Sequence, residues 1–371
     1  MGMRTGILVF IAVFQSILLA AHLFVYRTWL HFWDPAGTSA LADRTLAVLV
    51  LAGSFLAASL LSFKYWNAAT RTFYRASAVW LGVFNFLFLA SLGTWLTVLL
   101  RQAFGFHWSG RSVIAVWFAA ALMLATWGMI NASVTRIKRV RVNLPNLPAA
   151  WRGRTAAMIS DLHLGHVRGA NFARQIVATI RQLRPEIVFL AGDLYDGSYA
   201  DLEALAKPLR GLNAPLGNYF VAGNHEEIRN PVAHLQAAES AGLRLLNNEK
   251  VVVEGMQIIG VHHRDAARPE RLDAVLKSAA INRDQASVLL VHAPGQLEVA
   301  ERAGISLQLS GHTHRGQFFP WTWLTKRIYK NFVYGLQRFG AMLVYTSSGA
   351  GTWGPPLRVC SHPEIVLIQF M

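Results

Sequence analysis

The chain has 371 residues and a formal net charge of +15, with 53% hydrophobic and only 15% charged residues. That length holds more than one structural unit, and the apolar excess argues against a wholly soluble chain. A single cysteine, Cys360, excludes an intramolecular disulfide and fits a reducing compartment; no C2H2 or RRM pattern accompanies the basic charge, so nucleic acid is not an expected partner.

In chain order, four stretches lack Asp, Glu, Lys and Arg: 6–26, 45–63, 77–100 and 112–130. Each approaches the roughly 20 residues that cross a hydrocarbon core, and three further spans after the first argue against a cleaved signal peptide. Residues 1–130 thus read as a four-span transmembrane region. His22 and Asn85 fall inside spans and are expected to pack between helices. No span carries a charged group, so an ion or proton pathway is not expected; the region is an anchor. In the connections, Arg4, Lys64, Arg71, Arg75, Arg136, Lys138, Arg139 and Arg141 face one side, and Arg27, Arg44, Arg101 and Arg111 the other. The richer side predicts a cytoplasmic C-terminal domain.

Residues 1–130 carry 8 Lys/Arg and 2 Asp/Glu, whereas 131–371 carry 27 and 18, a formal +9. The second part is a basic soluble domain whose charge suits anionic lipid or a phosphate-bearing small molecule. Residues 131–154 read as a basic linker with the first strand. From Thr155 strands alternate with helix-like segments near 170–183, 199–210 and 231–241, an α/β signature.

Five short apolar runs then end in metal-capable side chains. TAAMIS leads to Asp161 and His163, EIVFLAG to Asp193, NYFVAG to Asn224 and His225, SVLLV to His292, and ISLQLSG to His312 and His314. Asp and Asn are ordinary turn residues, but ligand sites in open α/β sheets gather at carboxyl ends of strands. Glycine precedes Asp193, Asn224 and His312, where backbone must approach closely.

Asp161-Leu-His163, Gly192-Asp193, Gly223-Asn224-His225-Glu226, His292 and Gly311-His312-Thr-His314 closely resemble the calcineurin-like metallophosphoesterase superfamily over roughly residues 135–371. The tail SSGAGTWGPPLR, 347–358, resembles its membrane-associated bacterial branch, which includes UDP-2,3-diacylglucosamine pyrophosphohydrolase-like phosphoesterases. The resemblance implies a four-layer αββα sandwich over 155–371, preceded here by the four spans. It implies one metal on Asp161, His163, Asp193 and His314 and a second on Asp193, Asn224, His292 and His312, with Asp193 bridging. It further implies His225 as the proton donor to the leaving oxygen, and a phosphodiester or pyrophosphate bond cut by a metal-bridging hydroxide. Mixed N/O ligands suit Mn first, then Fe or Zn, and two metals suit in-line displacement. Related protein phosphatases have an arginine where Gly197 stands, which argues against a phosphoprotein substrate. Asp196 reads as a turn acid or a support for a ligand.

Arg315 could clamp a substrate phosphate, or stand in solvent. His262 and His263 could face the cleft; His166, His234 and His362 read as ordinary surface or core residues. Residues 318–340 mix Phe, Trp and Tyr with Lys326, Arg327, Lys330 and Arg338, a composition suited to a membrane interface; a strand-turn segment packed on the domain is the plainer alternative. The expected partners are the lipid bilayer and a phosphate-containing, lipid-linked substrate, with no protein partner. Two further readings stand beside this: a tethered phosphodiesterase for soluble diesters or nucleotides, and a non-catalytic membrane receptor or scaffold of the same fold.

Overall fold

The structure, a computed structural model, describes residues 2–33, 41–105 and 108–371. The chain divides into two compact units, Met1–Ile130 with Pro355–Leu357, and Asn131–Gly354 with Arg358–Met371.

The first unit holds α1 (Gly2–Trp33), α2 (Leu41–Ser62), α3 (Ala68–Phe104) and, as far as Ile130, α4 (Gly110–Ser133). Each contains a stretch long and apolar enough to cross a membrane. The helices run beyond the uncharged stretches because helical hydrogen bonding does not stop at the first charge; α3 takes in Arg71 and Arg75 after Asn67, whose side chain accepts from Thr70 N at 2.9 Å. His22 is buried, stacked 3.5 Å from Phe84 and accepting from Trp80 Nε1 at 3.1 Å, so it packs between helices as expected. The side chain of Arg4, one of the orientation cations, lies outside the described residues.

The second unit runs β1 (Arg136–Val142), β2 (Thr155–Ile159), α5 (Ala170–Leu183), β3 (Ile187–Ala191), α6 (Leu202–Ala206), β4 (Asn218–Val221), α7 (Pro231–Ser240) and β5 (Arg244–Leu245). It continues with β6 (Glu249–Val253), β7 (Met256–Gly260), α8 (His263–Ala266), α9 (Pro269–Ser278), β8 (Ser287–Leu290), α10 (Leu297–Ala303) and β9 (Leu307–Ser310). It closes with α11 (Trp321–Tyr329), β10 (Gly335–Phe339), β11 (Met342–Thr346) and β12 (Glu364–Phe370). Two six-stranded sheets form, in the orders β1-β12-β2-β3-β4-β5 and β10-β11-β9-β8-β7-β6. Strands β2 to β5 are parallel, as are β7, β8, β9 and β11.

Burial explains the assignment. IVFLA of β3 and SVLL of β8 are buried throughout, as parallel strands covered on both faces must be. The core between the sheets joins Met158, Phe189 and Val221 of one to Ile258, Val288 and Leu309 of the other. A second cluster packs Leu272, Leu276 and Ala300 of α9 and α10 against Ile259, Leu289 and Val344. On α5, Ala173, Ile176, Val177 and Ile180 form the buried stripe, spaced i, i+3, i+4, i+7. The result is a mixed α/β sandwich preceded by four long apolar helices.

One expectation changes in detail. The helix near 199–210 shrinks to α6 followed by a 3-10 turn, Lys207–Gly211, because Pro208 cannot supply the amide that would continue it. Within residues 131–154, β1 is the first strand and pairs with β12 in parallel register. The aromatic segment holds the helix α11 and, after it, the strand β10, so the strand of the plainer alternative is present with a helix before it.

Candidate metal centre

Strands β2, β3 and β4 lie side by side in one sheet, and β8 and β9 in the other. Their carboxyl ends deliver Asp161, Asp193, Asn224, His292 and His312 to one place. The seven side chains singled out by the motifs meet there. Asp161, His163 and His314 offer ligand atoms within 4.8 Å of one another, as do Asp193, His292 and His312, and also His163, Asp193 and His225.

Asp193 lies between the sets. Its Oδ2 is 3.1 Å from His292 Nε2 and 3.7 Å from His163 Nε2, while Oδ1 accepts the His225 backbone N–H at 2.9 Å. His314 Nε2 is 3.6 Å from Asp161 Oδ1 and 3.0 Å from His163 Nε2. Asn224 Oδ1 and His312 Nδ1 each stand 3.1 Å from His292 Nε2.

The backbone is shaped for this. Asp161, His163, Asp193, His312 and His314 all hold positive φ, between 48° and 70°, a left-handed conformation costing non-glycine residues about 1–3 kcal/mol each. Five such residues in one cluster mark a place where side-chain position outranks local comfort. Gly223 shows the crowding: a Cβ there would fall on Asp193 Oδ1. One at Gly311 would strike Asp161 Oδ2, so the glycines before the ligands are space, as the spacing suggested.

Electrostatics fit a pair of cations. Burial, reinforced by neighbouring imidazoles, pushes His163 and His314 well below the ordinary histidine range, so two neutral rings face each other nitrogen to nitrogen at 3.0 Å. Arg358 donates to His314 Nδ1, so the neutral His314 ring carries its proton on Nε2 and donates it to His163 Nε2. Burial raises Asp161 to about 6. Burial opposes the charge on His292, yet Asp193 outweighs it and lifts the ring to about 10; a metal ion there would take that proton's place. The donor set is nitrogen and oxygen without thiolate, fitting Mn, Fe or Zn.

Other histidines divide. His225 donates its Nδ1–H to the Asp196 carbonyl at 2.8 Å, which leaves Nε2 directed elsewhere. The Asp196 carboxylate accepts from His166 N and Ser198 N at 3.1 and 2.8 Å, a turn role. His263 lies 5.8 Å from His292 ring to ring, facing the cluster, whereas His262 pairs with Glu227 at 2.8 Å. His166 and His234 are buried; His362 Nδ1 is 2.8 Å from Asn131 Oδ1. Arg315 is exposed and holds its guanidinium 4.7 Å over the Tyr334 ring.

Two supporting residues had no role in the sequence reading. Arg358 is fully buried and donates to the Gly351 carbonyl at 2.6 Å and to His314 Nδ1 at 3.1 Å. Only its basic character in the glycine-rich tail could have hinted at this. Glu226, also fully buried, accepts N–H bonds from Asp193 (2.9 Å), Tyr195 (3.0 Å) and Gly223 (2.7 Å). Burial and the nearby Asp193 charge raise its carboxyl to about 7. Glu226→Gln must turn an NH2 toward at least one of these donors. We expect about 1–3 kcal/mol lost from stability and metal affinity down about 10–100-fold. Thermal unfolding and metal titration measure the two; unchanged affinity would show that the three bonds do not position Asp193.

Residues 155–316 match the family model described as calcineurin-like phosphoesterase. A Helicobacter pylori protein described as an uncharacterized metallophosphoesterase is 32% identical over 269 residues, covering 70% of this chain and 71% of that one. A Danio rerio protein described as a transmembrane protein with metallophosphoesterase domain is 30% identical over 287 residues, covering 70% and 62% respectively. Among solved structures, a 5'-nucleotidase precursor from Thermus thermophilus aligns with a TM-score of 0.31 at 18% identity, over 43% of this chain and 42% of that chain.

Proposed function

The chain belongs to the calcineurin-like phosphoesterases, hydrolases with a dinuclear metal site, and from that membership we propose a membrane-anchored enzyme that cleaves a phosphodiester or pyrophosphate bond in a lipid-linked substrate such as UDP-2,3-diacylglucosamine. The observation that carries the reading is Asp193, whose Oδ2 faces both His292 and His163, the position of a bridging carboxylate. Asp161, His163, Asp193 and His314 would hold one ion, and Asp193, Asn224, His292 and His312 the other. When bound, two divalent cations, manganese first among the candidates, supply an activated water nucleophile and neutralise phosphoryl oxygens. Against their +4 the two aspartates bring −2, leaving a site attractive to phosphate. His225 delivers a proton to the leaving oxygen, Arg315 contributes a cation to the approach, and the basic loops argue for a cytoplasmic catalytic unit.

The test is UMP release from UDP-2,3-diacylglucosamine by the full-length protein in micelles after chelation, with and without added Mn²⁺. Release that returns with metal is expected. Metal-dependent hydrolysis of a chromogenic diester without UMP release would replace the lipid-linked substrate by a soluble one; loss of both activities would remove the enzyme reading.

A further inference from the structure

We infer that α11 is an interfacial docking surface that seats the mouth of the metal centre on an anionic lipid bilayer, so that the substrate phosphate is met at headgroup level. The inference deepens the functional reading above and rests on it for the substrate.

The helix leaves an apolar stripe outside. Trp321, Leu324 and Ile328 are 45%, 39% and 60% exposed, and their i, i+3, i+7 spacing puts them on one face. Nothing in α11 is buried. Trp323, 57% exposed, flanks the stripe with the Arg327 guanidinium 5.5 Å over its ring. Lys326, Arg327 and Lys330 are all exposed, and residues 302–363 contain no Asp or Glu. Large rings and cations around an apolar stripe, in a stretch of chain without an acid, complement an anionic headgroup layer. An ordinary protein surface would mix its charges.

The same helix touches the centre. Tyr329, on its inner side, stands 6.1 Å from the His312 ring. Trp353, 58% exposed, stands 6.5 Å from the His225 ring. The half-buried Tyr329 and the exposed Trp353 therefore each stand beside a histidine of the cluster, aromatic groups of the kind that settle at a membrane interface. A chain with four apolar helices of spanning length makes lipid the occupant present at the highest local concentration.

The test uses the full chain in vesicles of phosphatidylcholine with or without phosphatidylglycerol. In a Cys360→Ser background, which removes the only cysteine, Leu324→Cys, Ile328→Cys and, as a control, the exposed Val232→Cys are each labelled with bimane and quenched by nitroxide-bearing lipid. A stripe lying ~5–10 Å into the headgroup boundary should be quenched about threefold or more above the control, and more strongly with phosphatidylglycerol. Quenching at 324 and 328 equal to that at 232 would overturn the inference and return the stripe to a protein partner. Hydrolysis of a chromogenic diester by the unsubstituted protein separates the failures. Activity without quenching removes only the docking surface, and quenching without activity removes only the phosphoesterase reading.

Discussion

Asp193→Asn should abolish turnover while leaving the fold intact. Several kcal/mol of charge stabilisation at a two-metal site corresponds to a rate loss of about 10³–10⁴-fold or more. The side chain is isosteric, so the buried volume is kept and one oxygen can still accept the His225 N–H. What disappears is the charge. In the native chain one carboxylate faces His292 Nε2 at 3.1 Å and His163 Nε2 at 3.7 Å. A carboxamide would present an NH2 group to one set of partners and cannot serve two cations. Metal content separates this from simple damage: bound metal should fall well below the dinuclear complement while the far-ultraviolet dichroism stays unchanged. Retention of the full complement, with a rate within about tenfold of the parent (1.4 kcal/mol), would remove Asp193 from the bridging position.

The aspartate could be singled out from sequence because the signal there is local. A parallel strand buried on both faces is a short apolar run, and its carboxyl end in an open sheet is where a functional side chain is displayed. IVFLA followed by Gly192 and Asp193 states both in one line. NYFV with Gly223 and Asn224 does so again, and the glycine proves to be the space that Asp193 occupies. The α5 stripe was equally plain, since its period falls within a single segment.

What stayed hidden depends on partners far away in the chain. Arg358 meets His314 across 44 residues, and Glu226 reaches back about thirty to Asp193; no spacing rule announces either. The two-residue β5 is too short to show a period. α11 was concealed by composition, because Trp, Thr, Ile and Tyr favour strands; only the spacing of Trp321, Leu324 and Ile328 argues for a helix. The 3-10 turn after α6 followed from Pro208, a signal that was present and outweighed by the apolar positions around it.

His225 offers the second large effect, and its form is more diagnostic than its size. His225→Ala should slow hydrolysis of an unactivated alkyl or nucleotidyl ester by about 10²–10⁴-fold, the usual worth of a positioned general acid. The Asp196 carbonyl accepts a hydrogen bond from Nδ1–H at 2.8 Å, which fixes the ring and leaves Nε2 as the nitrogen that exchanges a proton with the substrate. The ring stands perpendicular to His163, 4.6 Å away, so it borders the first ligand set. A group that only protonates the leaving oxygen matters little when that oxygen departs readily as an anion. The same variant should therefore hydrolyse a p-nitrophenyl ester at close to the parental rate, with its metal content preserved. Equal losses on both esters with metal retained would assign His225 to binding phosphate instead, and loss of metal would make it a ligand, as its place beside His163 and Asp193 also permits. The three outcomes are distinguished by comparing two substrates and one metal analysis, because leaving-group dependence reports proton transfer and ligand loss does not.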